Sequence, residues 1–568
     1  MGMAHVVVLA AALAMAATAA ASPEEEGVQP LSKIAIHKAT IELDSSAYVR
    51  ATSLLCEGDQ EGDTAWVTME YSHSNPSADD WVAVFSPADF IQGSCPNPRR
   101  YPTEPLLCTA PIKYQYANFS ANYLYWGKGS IKFRVINQRS DFSFALFTGG
   151  LENPKLLSMS KLSPFKNPKA PVFPRLAQSK THDEMAVTWT SGYYVGEAYP
   201  FVEWGMVAPG GVVGSPTRTP AGTLTFNRGS MCGTVGGEPA RSIGWRDPGF
   251  IHTAFMRDLW PNKEYSYKIG HELSDGTVVW GKPYTFRAPP TPGQSSLQRI
   301  IVFGDMGKVA PISAKKPYMI ASGNHERDWP NTGGFFDVKS SGGECGVLAE
   351  TMYYYPAENR ANFWYKVDYG IFRFCVADSE HDRREGTPQY KFIEECLSTV
   401  DRKHQPWLIF TAHRVLGYSS DTKYAAQGSF DEPEGRESLQ KLWQRYRVDL
   451  AIFGHVHNYE RTCPLYQNQC TTSEQSHYSG TMNGTIFVVA GGGGSHLSSY
   501  TTAIPKWSVF RDRDYGFTKL TAFNHSSLLF EYKRSSDGKV YDNFTIHRDY
   551  RDVLGCVHDS CFPTTLAT

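Results

Sequence analysis

Four short apolar runs in this 568-residue chain each lead into a residue type that binds metals, and this coincidence limits the fold more than any other feature. Arg299-Ile300-Ile301-Val302-Phe303 leads to Asp305, and Tyr318-Met319-Ile320-Ala321-Ser322 leads to Asn324. Trp407-Leu408-Ile409-Phe410 leads to His413, and Leu450-Ala451-Ile452-Phe453 leads to His455 and His457. Apolar runs of this length between turn signals read as buried parallel strands. Ligands of open α/β sheets sit just beyond the carboxyl ends of such strands. Two hard oxygen donors and three imidazoles suit a pair of first-row metal ions, and metal pairs hydrolyse phosphate esters by clamping the attacking and leaving oxygens.

Singly, each motif has a bland reading. A Gly-Asp pair is usually a turn, and a buried His is usually a hydrogen-bonded core residue. Four of them in order within one domain favour the metal site. The intervening segments agree. Residues 389–400 place Tyr390, Ile393, Cys396, Leu397 and Val400 on one helical face, and 437–447 repeat this with Leu439, Leu442, Trp443 and Tyr446. Strand to Ala377, helix, strand to Phe410, helix, strand to Phe453 is a βαβ series. Ile486 to Ala490 is a further buried strand. Its Gly491–Gly494 tail lacks the Lys-Ser/Thr of a phosphate cradle, so it is expected to let backbone pass close to the metal site.

With Gly304-Asp305-Met306-Gly307, Gly323-Asn324-His325-Glu326, His413 and Gly454-His455-Val456-His457, the chain resembles the plant purple acid phosphatases, which are calcineurin-like metallophosphoesterases. The resemblance covers nearly the whole mature chain. It looks closest to the long plant forms, which include nucleotide pyrophosphatase/phosphodiesterase members and members suspected of being inactive. It implies Asp305 and His457 on a ferric ion, and Asn324, His413 and His455 on a divalent metal (Zn, Mn or Fe). It also implies that His325 contacts the phosphate or protonates the leaving group. Substrates would be phosphate monoesters or nucleotide phosphodiester and pyrophosphate bonds, and a homodimer is compatible.

The sequence departs from the family at one decisive place. The family carries a Gly-Asp-x-x-Tyr motif between the first two, supplying the Asp that bridges both metals and the Tyr whose bond to iron gives the colour. No such motif occurs here. Parallel strands need a crossover of a dozen or more residues, yet Lys308 to Pro317 offers ten, two of them prolines. An internal segment is missing, and a central strand with its helices is expected to be lost, leaving a damaged phosphoesterase domain. A second departure lies between Tyr418 and Glu434. Many relatives have a phosphate-facing His pair there, and this chain reads Ser-Ser-Asp-Thr-Lys-Tyr-Ala-Ala-Gln-Gly-Ser.

Charge and composition exclude some partners. The formal net charge is −2 with no long run of one sign, which argues against nucleic acid or an anionic membrane. Residues 1–21 are small and apolar and end Ala19-Ala20-Ala21, as in a secretory signal peptide. No later segment is apolar enough to span a bilayer. Sequons at Asn118, Asn483, Asn524 and Asn543 fit a glycoprotein exported to the extracellular space, cell wall or vacuole. Of eleven cysteines, Cys463 with Cys470 and Cys556 with Cys561 look like local disulfides. Cys375 and Cys396 read as core thiols.

The predicted architecture is multidomain. Residues 46–163 and 168–290 show short strands between turn residues, the texture of two all-β, fibronectin III-like sandwiches. Residues 298–500 form the α/β metallophosphoesterase domain, truncated near 308–317, and 505–549 supply closing strands. The expectation is a secreted metal-dependent phosphoesterase impaired by its lost segment. The competing expectation is a non-catalytic secreted glycoprotein, an inactive family member or splice isoform, with a degenerate metal site.

Overall fold

The computed structural model describes residues 39–51, 64–87, 106–107, 111–232, 245–305, 312–422, 436–494 and 496–549. The expected signal segment, the Cys556–Cys561 pair and Met306-Gly307 lie outside these.

Alternating burial builds two β domains at the amino-terminal side. In the first, a six-stranded sheet that includes Trp81–Phe85 and Ser143–Thr148 faces a three-stranded one containing Thr64–Ser72 and Lys128–Ile136. Their inner faces enclose Val67, Met69, Tyr71, Val82, Phe133 and Phe144. In the second, four- and five-stranded sheets close over Trp189, Val202, Tyr265, Tyr267 and Phe286.

The third region carries the βαβ series. Strands Phe372–Val376, Trp407–Ala412, Leu450–Phe453 and Thr485–Ala490 run parallel and adjacent. They sit inside an eight-stranded sheet whose other members add antiparallel edges. Helices Pro388–Ser398 and Arg436–Arg445 cover one face through Ile393, Leu397, Leu439 and Trp443. The other face packs on a five-stranded sheet through Ile409, Ile452, Val488, Leu520, Phe530 and Phe544. Both faces are buried, which is why these strands are apolar throughout rather than alternating.

Three expectations are corrected. Residues 298–302 form a strand, but it is antiparallel to Gly516–Ala522 in the five-stranded sheet, not part of the parallel set. Residues 318–322 form no strand. With no strand partner beside it, this segment finds its hydrogen bonds elsewhere: Tyr318 N–H donates to Leu176 O of the second β domain at 2.8 Å, and Tyr365 O–H donates to Ile320 O at 2.8 Å. The parallel sheet is therefore continuous. Strand 298–302 is instead the edge of the five-stranded sheet, with Ile301 47% exposed and Ile312 59% exposed. Finally, Cys375 and Cys396 are joined as a disulfide rather than free.

Cys463 and Cys470 are bonded as expected. A third disulfide, Cys232–Cys345, ties the second β domain to the phosphoesterase region across 113 residues. Closing a loop of that length removes about 4–5 kcal/mol of unfolded-chain entropy in the chain-entropy account. Arg175 Nε–H to Met352 O (2.7 Å) and Gln178 Nε2–H to Asp368 O (2.6 Å) reinforce the same junction. Among the described residues, no helix is long and apolar enough to cross a membrane.

Candidate metal centre

Tight turns at the carboxyl ends of the apolar strands bring the site residues together. Asp305 (φ 60°) and His455 (φ 66°) both adopt the left-handed conformation. That conformation costs about 1–3 kcal/mol for a residue with a Cβ and persists only where the surroundings impose it. Here the His455 N–H donates to Asp305 Oδ2 at 2.7 Å, so each turn holds the other.

Five of the six expected site residues meet directly. Asn324 Oδ1 accepts from His413 Nε2 at 2.7 Å and from His455 Nδ1 at 3.1 Å. The His413 and His455 rings lie edge to face with centroids 5.2 Å apart. Asp305 Oδ1 is 3.5 Å from His457 Nε2 and 3.7 Å from His413 Nε2. Burial by itself would raise the Asp305 carboxyl; His413, His457 and the His455 N–H outweigh it and hold it below the usual carboxylate range. His325 follows Asn324 on the short helix Asn324–Arg327 and lines the same cavity, its imidazole lowered chiefly by burial.

The glycine tail after Thr485–Ala490 passes close by, as expected. A Cβ on Gly491 would lie 2.9 Å from Asp305 Oδ2, and one on Gly494 would lie 2.5 Å from the His457 ring. Only glycine leaves room for these two side chains.

Several neighbours carried no sequence signal. Arg414 is buried, with Nε donating to Glu380 Oε1 at 2.8 Å and Nη2 to Asp328 Oδ2 at 3.1 Å, and its Nη1 is 3.4 Å from His455 Nε2. Desolvation, with the Glu380 charge second, pushes the Asp328 carboxyl up to about 6. His457 Nδ1 donates to the His496 carbonyl at 3.0 Å. Nothing in the local patterns around 328, 380 or 496 marks these contacts, because tertiary packing alone creates them. Ser419 and Ser420, from the divergent stretch, turn inward to donate to the buried Glu460 carboxylate. Residues 423–435 of that stretch lie outside the described set.

A cavity of about 560 Å³ adjoins the cluster. Its walls are the strand ends at Thr411, Ala412, Ile452, Phe453 and Ala490, the outer strand at Val302, and residues 318–322 with Met352 and Tyr353.

The donor set decides which metals fit. Asn324, His413 and His455 present one oxygen and two nitrogens around a common point, enough for one divalent cation with an open position. Among the described residues, no group of three or more His, Cys, Asp or Glu side chains is arranged to hold a metal, so that half-site depends on the Asn324 carboxamide. Asp305 and His457 alone do not fit a ferric ion. Tyr318, which lines the cavity together with Tyr353, sits with its ring 6.2 Å from Phe303 and 6.0 Å from Tyr353, and burial raises its hydroxyl pKa, which disfavours the tyrosinate.

Comparison with known proteins matches this arrangement. Residues 49–167 match the Fn3-like domain from purple acid phosphatase, 171–288 the purple acid phosphatase N-terminal domain, 299–459 the calcineurin-like phosphoesterase family, and 484–543 the iron/zinc purple acid phosphatase-like protein C family. The chain is 56% identical to "Probable inactive purple acid phosphatase 27" of Arabidopsis thaliana, over 95% of this chain and 96% of that protein. It is 76% identical to a nucleotide pyrophosphatase/phosphodiesterase of Hordeum vulgare, over 52% of this chain and 95% of that one. The solved structure of purple acid phosphatase PPD1 from yellow lupin (Lupinus luteus) seeds superposes with a TM-score of 0.84 at 54% identity, covering 92% of this chain and 100% of that one. The Arabidopsis alignment runs over 597 positions but draws on 95% of 568 residues, about 540, so roughly 57 positions have no residue here. The barley alignment, 350 positions on 52% of the chain or about 295 residues, gives roughly 55. These two relatives therefore carry about 55 to 57 positions in all that have no residue here, and the chain belongs to the purple acid phosphatase family.

Proposed function

We propose that this chain is an exported purple acid phosphatase reduced to a single-metal half-site, binding one divalent cation through Asn324, His413 and His455 and hydrolysing phosphate esters only slowly. The observation that carries this is the meeting of His413 Nε2 and His455 Nδ1 on one oxygen, Asn324 Oδ1. A bound divalent cation supplies Lewis acidity toward a phosphoryl oxygen. The chain's own contribution is positional. Asp305 holds the His455 backbone and faces His457, and His325 lines the cavity that receives the ester. The absent bridging carboxylate is the group that would neutralise two cations at once, so one charge centre is what the remaining residues support.

Export is supported by three disulfides and by sequon residues Asn118, Asn483, Asn524 and Asn543, all of them exposed. Phosphomonoesters and nucleotide pyrophosphate or phosphodiester bonds are the substrate classes, the latter by likeness to the barley relative. A second reading, a non-catalytic glycoprotein, is favoured by the "probable inactive" names of three Arabidopsis relatives.

Metal analysis, a visible spectrum and an aryl phosphate assay on the purified chain separate these. The half-site predicts close to one divalent ion per chain, no iron and no visible charge-transfer band, with turnover lost in His455→Ala. Stoichiometric iron with a strong visible band would overturn it. One bound metal with no turnover would leave the second reading standing.

A further inference from the structure

The sequon Asn118-Phe119-Ser120 lies in a corner of the first β domain that is firmly anchored inside and bare outside. Two one-turn helices, Ala117–Phe119 and Tyr123–Trp126, follow one another, linked by the Tyr123 N–H donating to Ser120 O at 2.9 Å. Tyr123 is fully buried, with its hydroxyl donating to Asp80 Oδ2 at 2.7 Å and its ring 5.3 Å from Tyr71. The Tyr71 hydroxyl donates to Ala117 O at 2.7 Å, pinning the first turn as well. Gly127, at φ 60°, closes the second turn, where a Cβ would lie 2.2 Å from His73 O.

This scaffold holds four apolar side chains out into solvent: Phe119 is 69% exposed, Leu124 45%, Tyr125 83% and Trp126 75%. Scattered exposed apolar residues need no explanation, but four within eight positions, on two anchored turns, mark a candidate contact surface. Asn118, in the first of these turns, is exposed as well. Asn524 differs, since its Oδ1 accepts from the Ser526 and Ser527 N–H groups at 2.8 and 2.9 Å.

We propose that a glycan carried by Asn118 seats its sugar rings on the exposed faces of Phe119, Tyr125 and Trp126, so that this corner is a built-in carbohydrate platform. A pyranose presents a face of C–H bonds whose partial positive charge matches the negative face of an aromatic ring. The attachment point lies next to Phe119 in the first turn, and Tyr125 and Trp126 lie on the turn that follows it, so the platform draws on chain that is already ordered. Covering the patch also removes apolar area from water that nothing else in the described domain covers.

The proposal rests on export, and the test keeps the two apart. The full chain is secreted from a eukaryotic host, and occupancy at all four sequons is read by peptide mass spectrometry. Hydroxyl-radical footprinting then compares the glycosylated chain, the enzymatically deglycosylated chain, and the variants Asn118→Gln and Ser120→Ala. The expected result is occupancy at Asn118, with oxidation of the peptide containing Phe119, Tyr125 and Trp126 about twofold lower in the glycosylated form, as when one face of each ring is covered. Both variants should lose that protection, and Asn543→Gln should keep it. Modification at Asn483, Asn524 and Asn543 but not Asn118 would overturn the platform and leave export intact. No modification anywhere would sink both. Equal oxidation with and without the glycan, protection that vanishes on dilution, or protection seen only with lipid vesicles would also overturn it, the last two pointing to a second copy or a membrane.

Discussion

Two pairs of histidines in this chain have nearly the same mutual geometry and opposite characters. In the second β domain, His252 and His271 stand with ring centroids 4.7 Å apart; in the phosphoesterase region, His413 and His455 stand 5.2 Å apart, both pairs edge to face. The first pair is sealed in a core, 1% and 0% exposed. Ser191 and Thr223 hydroxyls bracket the two nitrogens of His252 at 2.9 Å each, and Trp189 Nε1–H donates to His271 Nε2 at 3.1 Å. The second pair turns its nitrogens toward one carboxamide oxygen beside a carboxylate, at the wall of a cavity. A histidine is structural when hydroxyls and an indole hold it in a sealed core, and a candidate ligand when its ring nitrogen meets another donor group beside open space.

The difference should show most strongly in acid. Burial, with the charge of His271 second, takes His252 down to about 3, and burial takes His271 down to about 4. A base whose folded pKa is depressed stays neutral while the unfolded chain picks up its proton. The stability it confers is therefore complete above pH 6.5 and is lost as pH falls below that value. Each imidazole should cost about 1.4 kcal/mol per pH unit, down toward pH 4 for His271 and pH 3 for His252. Urea unfolding at pH 7.5 and pH 5.0 should show this loss, and His271→Gln should reduce it. A pH-independent midpoint would break the comparison on the core side.

Next in size is the cost of truncating a core ring. His252→Ala should lower unfolding free energy by about 3 kcal/mol, because it opens a cavity and strips Ser191 and Thr223 of a partner. Its metal affinity should not change. On the other side, His455→Ala should weaken divalent-metal binding a hundredfold or more, about 2.7 kcal/mol, measured by competition with a chromogenic chelator. An affinity equal to wild type would mean that the convergence on Asn324 Oδ1 is only a hydrogen-bond network. The smallest effect is expected for His413→Ala in metal-free chain, about 0.5–1 kcal/mol by denaturant titration, since it loses one hydrogen bond at a cavity edge. A loss as large as that of His252→Ala would make the site pair structural too.

Much of this was legible in the residues. The continuous apolar runs at 407–410, 450–453 and 486–490 became the parallel core strands, because burial on both faces leaves no other composition open to them. The helical faces around Ile393 and Leu439 packed as their spacing indicates. The same rule misassigned 318–322, where an apolar run meets the second β domain instead of a strand, and it placed 298–302 in the wrong sheet. Apolar length reports burial, and burial alone does not name the partner. The Cys375–Cys396 bond was missed for a similar reason. A strand cysteine and a helix cysteine look like core thiols until packing sets their Cα atoms 6.0 Å apart.

By itself, the order of residues determined the candidate ligand types, the lack of a Gly-Asp-x-x-Tyr motif, and the glycines that make room for Asp305 and His457. These are local chemistry, set by which side chain stands at which turn. Only the tertiary structure decided that His413 and His455 both meet the Asn324 oxygen and that the Asp305 carboxylate lies against His413 and His457. It also decided that the parallel set stays continuous and that the strand at 298–302 pairs in the other sheet. Strand pairing and close packing bring together residues far apart in the chain, Asp305 and His455 among them at 150 positions. Which of the surviving donors then share a point depends on distances that no pattern along the chain contains.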